Sequence, residues 1–290
     1  GIVIVADVHP EITSMMLARL RQVESERPVV VILEDLDGLI RRMTATLAHR
    51  GPDDHDTRLY SYDDGPAHLA FGHRRLSIID LSERARQPME DLGGRLWVIF
   101  NGEIYNYLEL RDELIARGHE FRTTSDTEVI LKAYRQWGTD CLTRFNGMWG
   151  LVIVDLAARV LILCRDRLGE KPLYHATTPT GLWFASEPKS LLAAGVRGAP
   201  DWPALSLYLR LGWVPAPASA FASIVKLAPG SRLVLEGERV EIDRYWDVRP
   251  FLAGPALDVG LAAGARGIRE RLEHAVQAAL VSDVPVGVFL

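Results

Sequence analysis

The chain has 290 residues, of which 48% are hydrophobic and 24% charged, and its net charge is -5. This composition is typical of a packed globular protein and excludes the disordered and fibrous classes. There is no basic run interleaved with aromatics, and no apolar stretch approaches the ~20 residues of a membrane span, so neither nucleic acid nor a membrane is an expected partner. Cys141 and Cys164 form no metal-type spacing and no disulfide framework. We therefore expect two buried thiols and a cytoplasmic location.

Residues 1–38 have a different pattern from the rest of the chain. Ile2–Ala6 predicts a strand, Ile12–Val23 a helix and Val29–Leu33 a buried strand. Acidic residues follow that last strand, which therefore resembles the magnesium-side strand of AAA-type ATPases. No G-x-x-x-x-G-K-[ST] loop occurs to hold the phosphates. A plain core strand followed by solvated acids is the alternative.

Residues 39–246 mix short strands with paired helices, which predicts an α+β layered domain. The predicted elements, in chain order, are a helix with Leu39, Ile40, Met43 and Leu47 on one face, strands at His68–Phe71 and Leu96–Phe100, a helix capped by Asn106 and ending at Gly118, a helix opening at Ser125, a hairpin of Gly150–Asp155 with Val160–Arg165, a loop at Pro215–Pro217, and a last hairpin within Arg232–Arg244. Glu128 stands three residues after Ser125, which is the spacing of a capping box.

Residues 247–290 are interpreted as a linker followed by the truncated start of another domain. The segment from Trp246 to Gly260 has the composition of a linker. Ile268, Leu272 and Val276 keep helical spacing, and Val284–Leu290 predicts an apolar strand at the end of the sequence.

Five separated blocks carry the specific signal. They are His49–Asp53, Arg75–Asp80, Asn101–Asn106, Ser125–Glu128, and Arg165–Gly169 with Pro172–Tyr174. In this order they resemble the class II glutamine amidotransferases of the asparagine synthetase family, and the resemblance covers residues 39–290.

The resemblance implies an N-terminal-nucleophile fold, an αββα sandwich of two antiparallel sheets between helical layers. It also implies that a cysteine, as first residue, attacks the side-chain amide of glutamine and releases ammonia. This chemistry needs a thiol, a nearby base and donors for the developing oxyanion. By resemblance the donors are the Asn101 side chain and the Gly102 backbone N–H. Taken alone, Asn-Gly would predict a hairpin turn.

Free glutamine carries an α-carboxylate and an α-ammonium group, so a selective pocket needs a fixed cation and a fixed anion. The resemblance places Arg75 at the carboxylate. It places Asp126, with Glu103 nearby, at the ammonium. The residues that follow Arg75 in the motif are assigned to the same pocket, namely Leu76, Ser77, Ile78 and Ile79. The alternatives are a solvated surface arginine and a helix-entry carboxylate favoured by the dipole. For His49 and Arg50 we favour a structural role in a loop.

The sequence departs from the family pattern at both ends. It begins Gly1-Ile2-Val3 where the family begins Cys-Gly-Ile, so the printed chain is expected to hydrolyse glutamine poorly or not at all. Either a cysteine once preceded Gly1, or residues 1–38 are foreign sequence joined before Leu39. Ser282–Val288 is the kind of sequence that leads, in the family, into a Ser-Gly-Gly-x-Asp-Ser loop for the pyrophosphate of ATP. Leu290 matches a position whose backbone touches the nucleotide.

The expected function is therefore the glutaminase part of an asparagine synthetase, with L-glutamine as its substrate. It would supply ammonia for the amidation of L-aspartate. ATP and Mg²⁺ are implied for the intact protein, whereas no cofactor or metal is expected for this chain. The alternatives are a non-catalytic glutamine-binding or structural module, an amidotransferase acting on another carboxylate, and an ATPase fragment that would explain residues 1–38 alone. The sequence does not determine the oligomeric state, and a homodimer stays open.

Overall fold

A computed structural model describes residues 36–60, 69–179, 181–237, 239–255 and 259–287, together with the backbone of Ile2–Ala6. The helix expected at Ile12–Val23 and the strand expected at Val29–Leu33 lie outside the described residues, as does Leu290. The described part forms twelve strands and eight α-helices.

The strands and helices are numbered separately along the chain. The strands are β1 (Ile2–Ala6), β2 (Asp54–Tyr60), β3 (Leu69–Arg75), β4 (Met89–Glu90), β5 (Leu96–Ile104), β6 (Gly147–Asp155), β7 (Val160–Arg165), β8 (Tyr174–Thr178), β9 (Gly181–Ala185), β10 (Val225–Lys226), β11 (Ser231–Glu236) and β12 (Arg239–Arg244). The helices are α1 (Leu36–Ala45), α2 (Tyr107–Ala116), α3 (Asp126–Trp137), α4 (Cys141–Arg144), α5 (Pro188–Ala193), α6 (Trp202–Leu211), α7 (Arg249–Leu252) and α8 (Leu261–Ala279).

The strands form two six-stranded sheets in which the paired neighbours are antiparallel. The first sheet has the order β10-β8-β9-β1-β3-β2, and the second has the order β12-β11-β7-β6-β5-β4. Strand β1 is a central strand of the first sheet, with Ile4 opposite Phe71 of β3 and Phe184 of β9. The predicted strand at Ile2–Ala6 and the hairpins β6-β7 and β11-β12 are therefore confirmed.

Apolar side chains hold the two sheets face to face and attach helices to their outer faces. The layer between the sheets includes Phe71, Val152, Leu163 and Phe184, each of which is buried. Helices α1 and α5 pack on the outer face of the first sheet. Helices α2 and α3 cover the second sheet over a core that contains Trp149. The predicted αββα sandwich is confirmed.

Helix α8 lies apart from these four layers. Its apolar side chains are exposed, with 69% of Ile268 and 63% of Leu272 accessible to solvent. Helical spacing therefore predicted the helix correctly, but no described residue covers its apolar face. The segment after Trp246, expected as a linker, contains the short helix α7.

Three local expectations were wrong in whole or in part. Asn106 stands at the N-cap position of α2, but its side chain binds Arg144 O and Asn146 N in the loop before β6. Ser125 caps α3, whereas Glu128 accepts N–H bonds from Arg122 and Thr123 and so does not close a capping box. Of the strand expected at Val284–Leu290, residues 284–287 are not in a strand, and residues 288–290 lie outside the described part of the chain.

Candidate functional site

Arg75 ends strand β3 and is buried at the start of the loop formed by residues 76–82. Its Nη2 donates to the carbonyls of Ile79 and Asp80 at 3.0 and 2.5 Å, and Nη1 donates to the carbonyl of Ser82 at 3.2 Å. Three of the five guanidinium N–H groups thus hold the loop, which leaves two for a ligand. Burial lowers the pKa of Arg75, and the charge of Asp80 opposes that shift.

Asp80 connects this loop to the start of helix α3. Its backbone is in the left-handed region, with φ 52°. Among residues other than glycine, Asn and Asp adopt this conformation most often. One carboxylate oxygen accepts from Ser82 N and Oγ, and the other accepts from Thr124 N at 2.8 Å. Burial alone would raise the pKa of Asp80, but these hydrogen bonds from Ser82 and Thr124 hold it below its ordinary value.

Asp126 opens helix α3, where the helix dipole favours an anion. It is 5% exposed, and its Oδ2 accepts a 3.1 Å hydrogen bond from the N–H of Ile104. Burial raises the pKa of Asp126 to about 6, although the hydrogen bond from Ile104 opposes the shift. The helix start is thereby fixed beside the end of strand β5.

Glu103 lies near Asp126 at the end of β5. Burial, and then the charge of Asp126, raise the pKa of Glu103 to about 7, while Lys171 opposes the shift. The charge of Asp126 also acts on Arg75. We call Arg75, Glu103 and Asp126 the charged cluster, because the charge of Asp126 acts on both of the other two residues.

Asn101 and Gly102 precede Glu103 on the same strand. Asn101 Nδ2 lies 3.4 Å from Ser186 Oγ, just beyond the end of β9. A Cβ on Gly102 would lie 2.0 Å from the carbonyl oxygen of Met148 on β6, so close strand packing requires glycine there.

The backbone direction of Gly102 follows from its partner Trp149. Trp149 donates its N–H to the carboxylate of Asp166 and accepts from the N–H of that residue, so both its polar backbone groups point away from β5. Gly102 therefore directs its own N–H away from β6. Phe100 and Ile104 on the same edge give their N–H groups to Gln87 and Asp126. No described residue accepts from Gly102.

The beginning of strand β1 lies beside these residues. Ile2 is opposite His73 on β3, and Val3 is opposite Ala185, the residue before Ser186. His73 is buried, and its Nε2 lies 3.2 Å from the carbonyl of Phe100 on β5. Burial lowers the pKa of His73 well below its ordinary value. Ser186 and His73 therefore link the first residues of β1 to the Asn101 end of β5.

The loop after β7 contains Lys171, whose charge acts on Glu103. The buried carboxylate of Asp166 accepts N–H bonds from Leu168, Glu170 and Lys171 at 3.0 Å each. Arg165 donates to the carbonyls of Lys171 and Gly169. Charge-assisted bonds from a neighbouring Arg-Asp pair thus fold the whole Arg165–Lys171 loop.

The other residues assigned to the pocket have different surroundings. Leu76 is 56% exposed, Ile79 is buried and Ile78 packs against the helix-covered core of the second sheet. Ser77 lines, with Arg75 and Val284, a cavity of about 430 Å³. Asn101, Gly102, Glu103 and Asp126 do not line this cavity. Arg75 is therefore the one residue that belongs both to the cavity lining and to the charged cluster.

His49 and Arg50 bind Glu187, which precedes helix α5. His49 Nε2 and Arg50 Nη1 each lie 3.0 Å from Glu187 Oε1. Gly51, the next residue, lies so close to the backbone of Arg74 that a Cβ there would be 2.3 Å from a carbonyl carbon. The His49–Asp53 motif therefore connects α5 and the end of β3.

Cys141 and Cys164 are free and fully buried in the core under helices α2 and α3. Burial raises the pKa of Cys164 to about 12 and that of Cys141 still further. Both thiols are therefore unreactive core side chains, as the sequence predicted. Among the described residues, no group of three His, Cys, Asp or Glu side chains is arranged to hold a metal ion. No helix in the described part of the chain is both long and apolar enough to span a membrane.

Sequence reasoning missed the loop-organising carboxylates Asp80, Asp166 and Asp283. Asp80 and Asp166 belong to two of the five motif blocks, and each block also contains a buried arginine, Arg75 or Arg165. An arginine and an aspartate in one motif block were therefore the available sequence signal for these two carboxylates. Asp283 has no comparable local signal, because its partner Asp80 is distant in sequence.

Solved structures show the same layered class of fold. Over 84% of this chain and 49% of the other, the structure superposes on glutamine phosphoribosylpyrophosphate amidotransferase from B. subtilis with a TM-score of 0.56 and 17% sequence identity. This similarity shows the shared fold, which is that of the N-terminal-nucleophile amidotransferases.

Sequence comparisons identify the family. Residues 29–246 match the family model of the glutamine amidotransferase domain. The chain is 38% identical, over 88% of its length, to the glutamine-hydrolyzing asparagine synthetase 1 of Bacillus subtilis (strain 168). It is 35% identical, over 87% of its length, to the putative glutamine-hydrolyzing asparagine synthetase 2 of Methanocaldococcus jannaschii. The chain belongs to the glutamine amidotransferase domain family. It spans 39% and 51% of the lengths of these two relatives.

Proposed function

We propose that this chain binds free L-glutamine between Arg75 and the carboxyl groups of Glu103 and Asp126. The two unused guanidinium N–H groups of Arg75 suit the α-carboxylate, and the two carboxyl groups suit the α-ammonium. The observation that carries the proposal is the convergence of this one cation and two acids from β3, β5 and α3. Such a cluster matches both charged ends of an amino acid.

The arrangement along β5 supports hydrolysis of the side-chain amide when a thiol is present at the start of β1. The unpartnered N–H of Gly102 and the side-chain amide of Asn101 are donors for the oxyanion that develops on the amide carbon. The first residues of β1 lie on the same side of the molecule as Asn101 and Ser186. A thiol carried at the start of β1 would attack the amide there, with a free α-amine of unperturbed pKa roughly 7.7 to 8 as its base.

The ammonia released would serve an ATP-dependent amidation in a longer protein. Both relatives are named as glutamine-hydrolyzing asparagine synthetases, and each is longer than this chain. We infer L-aspartate as the acceptor, with ATP and Mg²⁺ used by the part of that protein beyond the described residues. Cytoplasmic location stays a prediction of the sequence, and the oligomeric state stays open.

Calorimetry tests the binding proposal. The chain should bind L-glutamine and bind D-glutamine far more weakly, and a chain that releases no heat with L-glutamine at millimolar concentration would overturn it.

A second experiment tests the hydrolysis. A variant with a cysteine placed before Gly1 as the first residue should release ammonia from glutamine, whereas the matched variant with serine there should not. Glutamine binding by both variants without ammonia release from either would support a binding module instead.

A further inference from the structure

The segment after helix α8 returns to the loop that holds Arg75. The N–H of Asp283 donates to the carbonyl of Ile78 at 3.0 Å, and Asp283 Oδ2 accepts from the N–H of Asp80 at 2.7 Å. Val281 packs against the core under helices α2 and α3, as Ile78 does. Residues 281–284 thus lie along the outside of the 76–82 loop.

Asp80 connects Asp283 to Arg75 through its own backbone. Its N–H is bound by Asp283, its carbonyl is bound by Arg75, and its carboxylate binds Ser82 and Thr124. The left-handed backbone at Asp80 is uncommon for residues other than glycine, and Asp adopts it when local hydrogen bonds such as these hold it. A carboxylate that accepts a backbone N–H makes a charge-assisted bond, which is stronger than a neutral one.

We infer that Asp283 is a positioning residue for the glutamine pocket. The inference rests on the proposed glutamine site. Asp283 fixes the backbone of Asp80, and the carbonyls of Ile79, Asp80 and Ser82 then fix the plane of the Arg75 guanidinium. Displacement of residues 281–284 therefore leaves the Arg75 guanidinium free to reorient and weakens its binding of the α-carboxylate. The segment that leaves the amidotransferase layers thereby sets the affinity for glutamine.

Calorimetric titration of the chain with L-glutamine tests this role. Asp283→Ala should weaken glutamine binding about tenfold, because one charge-assisted hydrogen bond to the loop is lost. Asp283→Asn should restore most of the affinity, since the amide oxygen still accepts from the N–H of Asp80. The control is Glu270→Ala on the exposed surface of α8, which should bind as the wild type does.

A double-mutant cycle with Arg75→Lys identifies the route of the effect. If Asp283 acts through Arg75, Asp283→Ala should add little to the loss that Arg75→Lys already causes. Full additivity would overturn the inference, and so would wild-type affinity in Asp283→Ala. These outcomes are distinct from failure of the wild-type chain to bind glutamine, which would overturn the proposed function and, with it, the role of Asp283.

Discussion

At the scale of single residues, Arg75 both binds the loop and keeps donors for a ligand, and a lysine at this position could not do both. Its guanidinium holds three loop carbonyls and keeps two N–H groups for a ligand. Lysine carries three donors on one nitrogen and lacks the planar fork. Loss of a charged hydrogen bond of about 1.5–3 kcal/mol predicts that Arg75→Lys weakens L-glutamine binding about 10- to 100-fold. Calorimetry measures the change, and Arg95→Lys, at a surface ion pair, serves as control.

If glutamine binds at Glu103 and Asp126, as we propose, its affinity should depend on pH. Burial raises their pKa values to about 7 and about 6, so the pair loses negative charge as pH falls from 8 to 6. In the proposed site the α-ammonium of glutamine pairs with the ionised carboxyl groups, so the affinity should rise about tenfold from pH 6 to pH 8.

The Glu103→Gln variant is the matched test of that pH dependence. It should bind glutamine more weakly and lose most of the rise in affinity between pH 6 and pH 8, since only the lower of the two raised pKa values remains. A pH-independent affinity in the wild type would contradict the assignment of these acids to the ammonium.

The same raised pKa values predict that the wild-type pair stabilises the fold most fully below the ordinary carboxyl pKa values. This contribution to the free energy of unfolding is lost as pH rises through about 6 to 7.

At the scale of elements, the close contact of β5 with β6 depends on Gly102. Gly102→Ala would put a Cβ 2.0 Å from Met148 O, so the strands must separate locally. Overpacking of this kind costs about 1–3 kcal/mol, and we expect urea unfolding to show that loss. Gly93→Ala is the control, because nothing lies within 4 Å of the added Cβ. Equal stability of the two variants would show that β5 can shift at no cost.

Elements were predictable where a local pattern determined them. The β6-β7 hairpin consists of two apolar runs joined by a four-residue turn, Leu156 to Arg159, and both strands form as expected. Side-chain roles at element ends were less predictable. Asn106 has a cap-forming position, but a loop that is distant in sequence offers it two partners instead. The Asp80–Asp283 bond was unpredictable for the same reason, since local spacing carries no information about tertiary partners.

At the scale of the whole molecule, helix α8 contributes little to the stability of the sandwich. Its apolar residues are exposed, so the double substitution Ile268→Glu with Leu272→Glu should change the free energy of unfolding by no more than about 0.5 kcal/mol. Leu114→Ala in α2, whose side chain is fully buried, should instead lose about 2–5 kcal/mol. Thermal and urea unfolding compare them, and a large loss in the α8 variant would show that the helix supports the fold.

The charged cluster could be predicted only from the family motifs. Arg75, Glu103 and Asp126 come from three separate elements, and nothing in the spacing of these residues brings them together. The sandwich itself brings the end of β3, the end of β5 and the start of α3 to one place. The sequence pattern therefore predicted the layers, and the arrangement of the layers determines which polar residues meet.

Strand β1 has a consequence for how the chain folds during synthesis. It pairs on one side with β9, so that Val3 meets Ala185, a residue that is far away in sequence and is synthesised much later. Until then one edge of the strand has no sheet partner. Such a non-local pairing slows folding and exposes an unpaired edge to other chains. We therefore expect the growing polypeptide to depend on a chaperone until β9 has emerged from the ribosome.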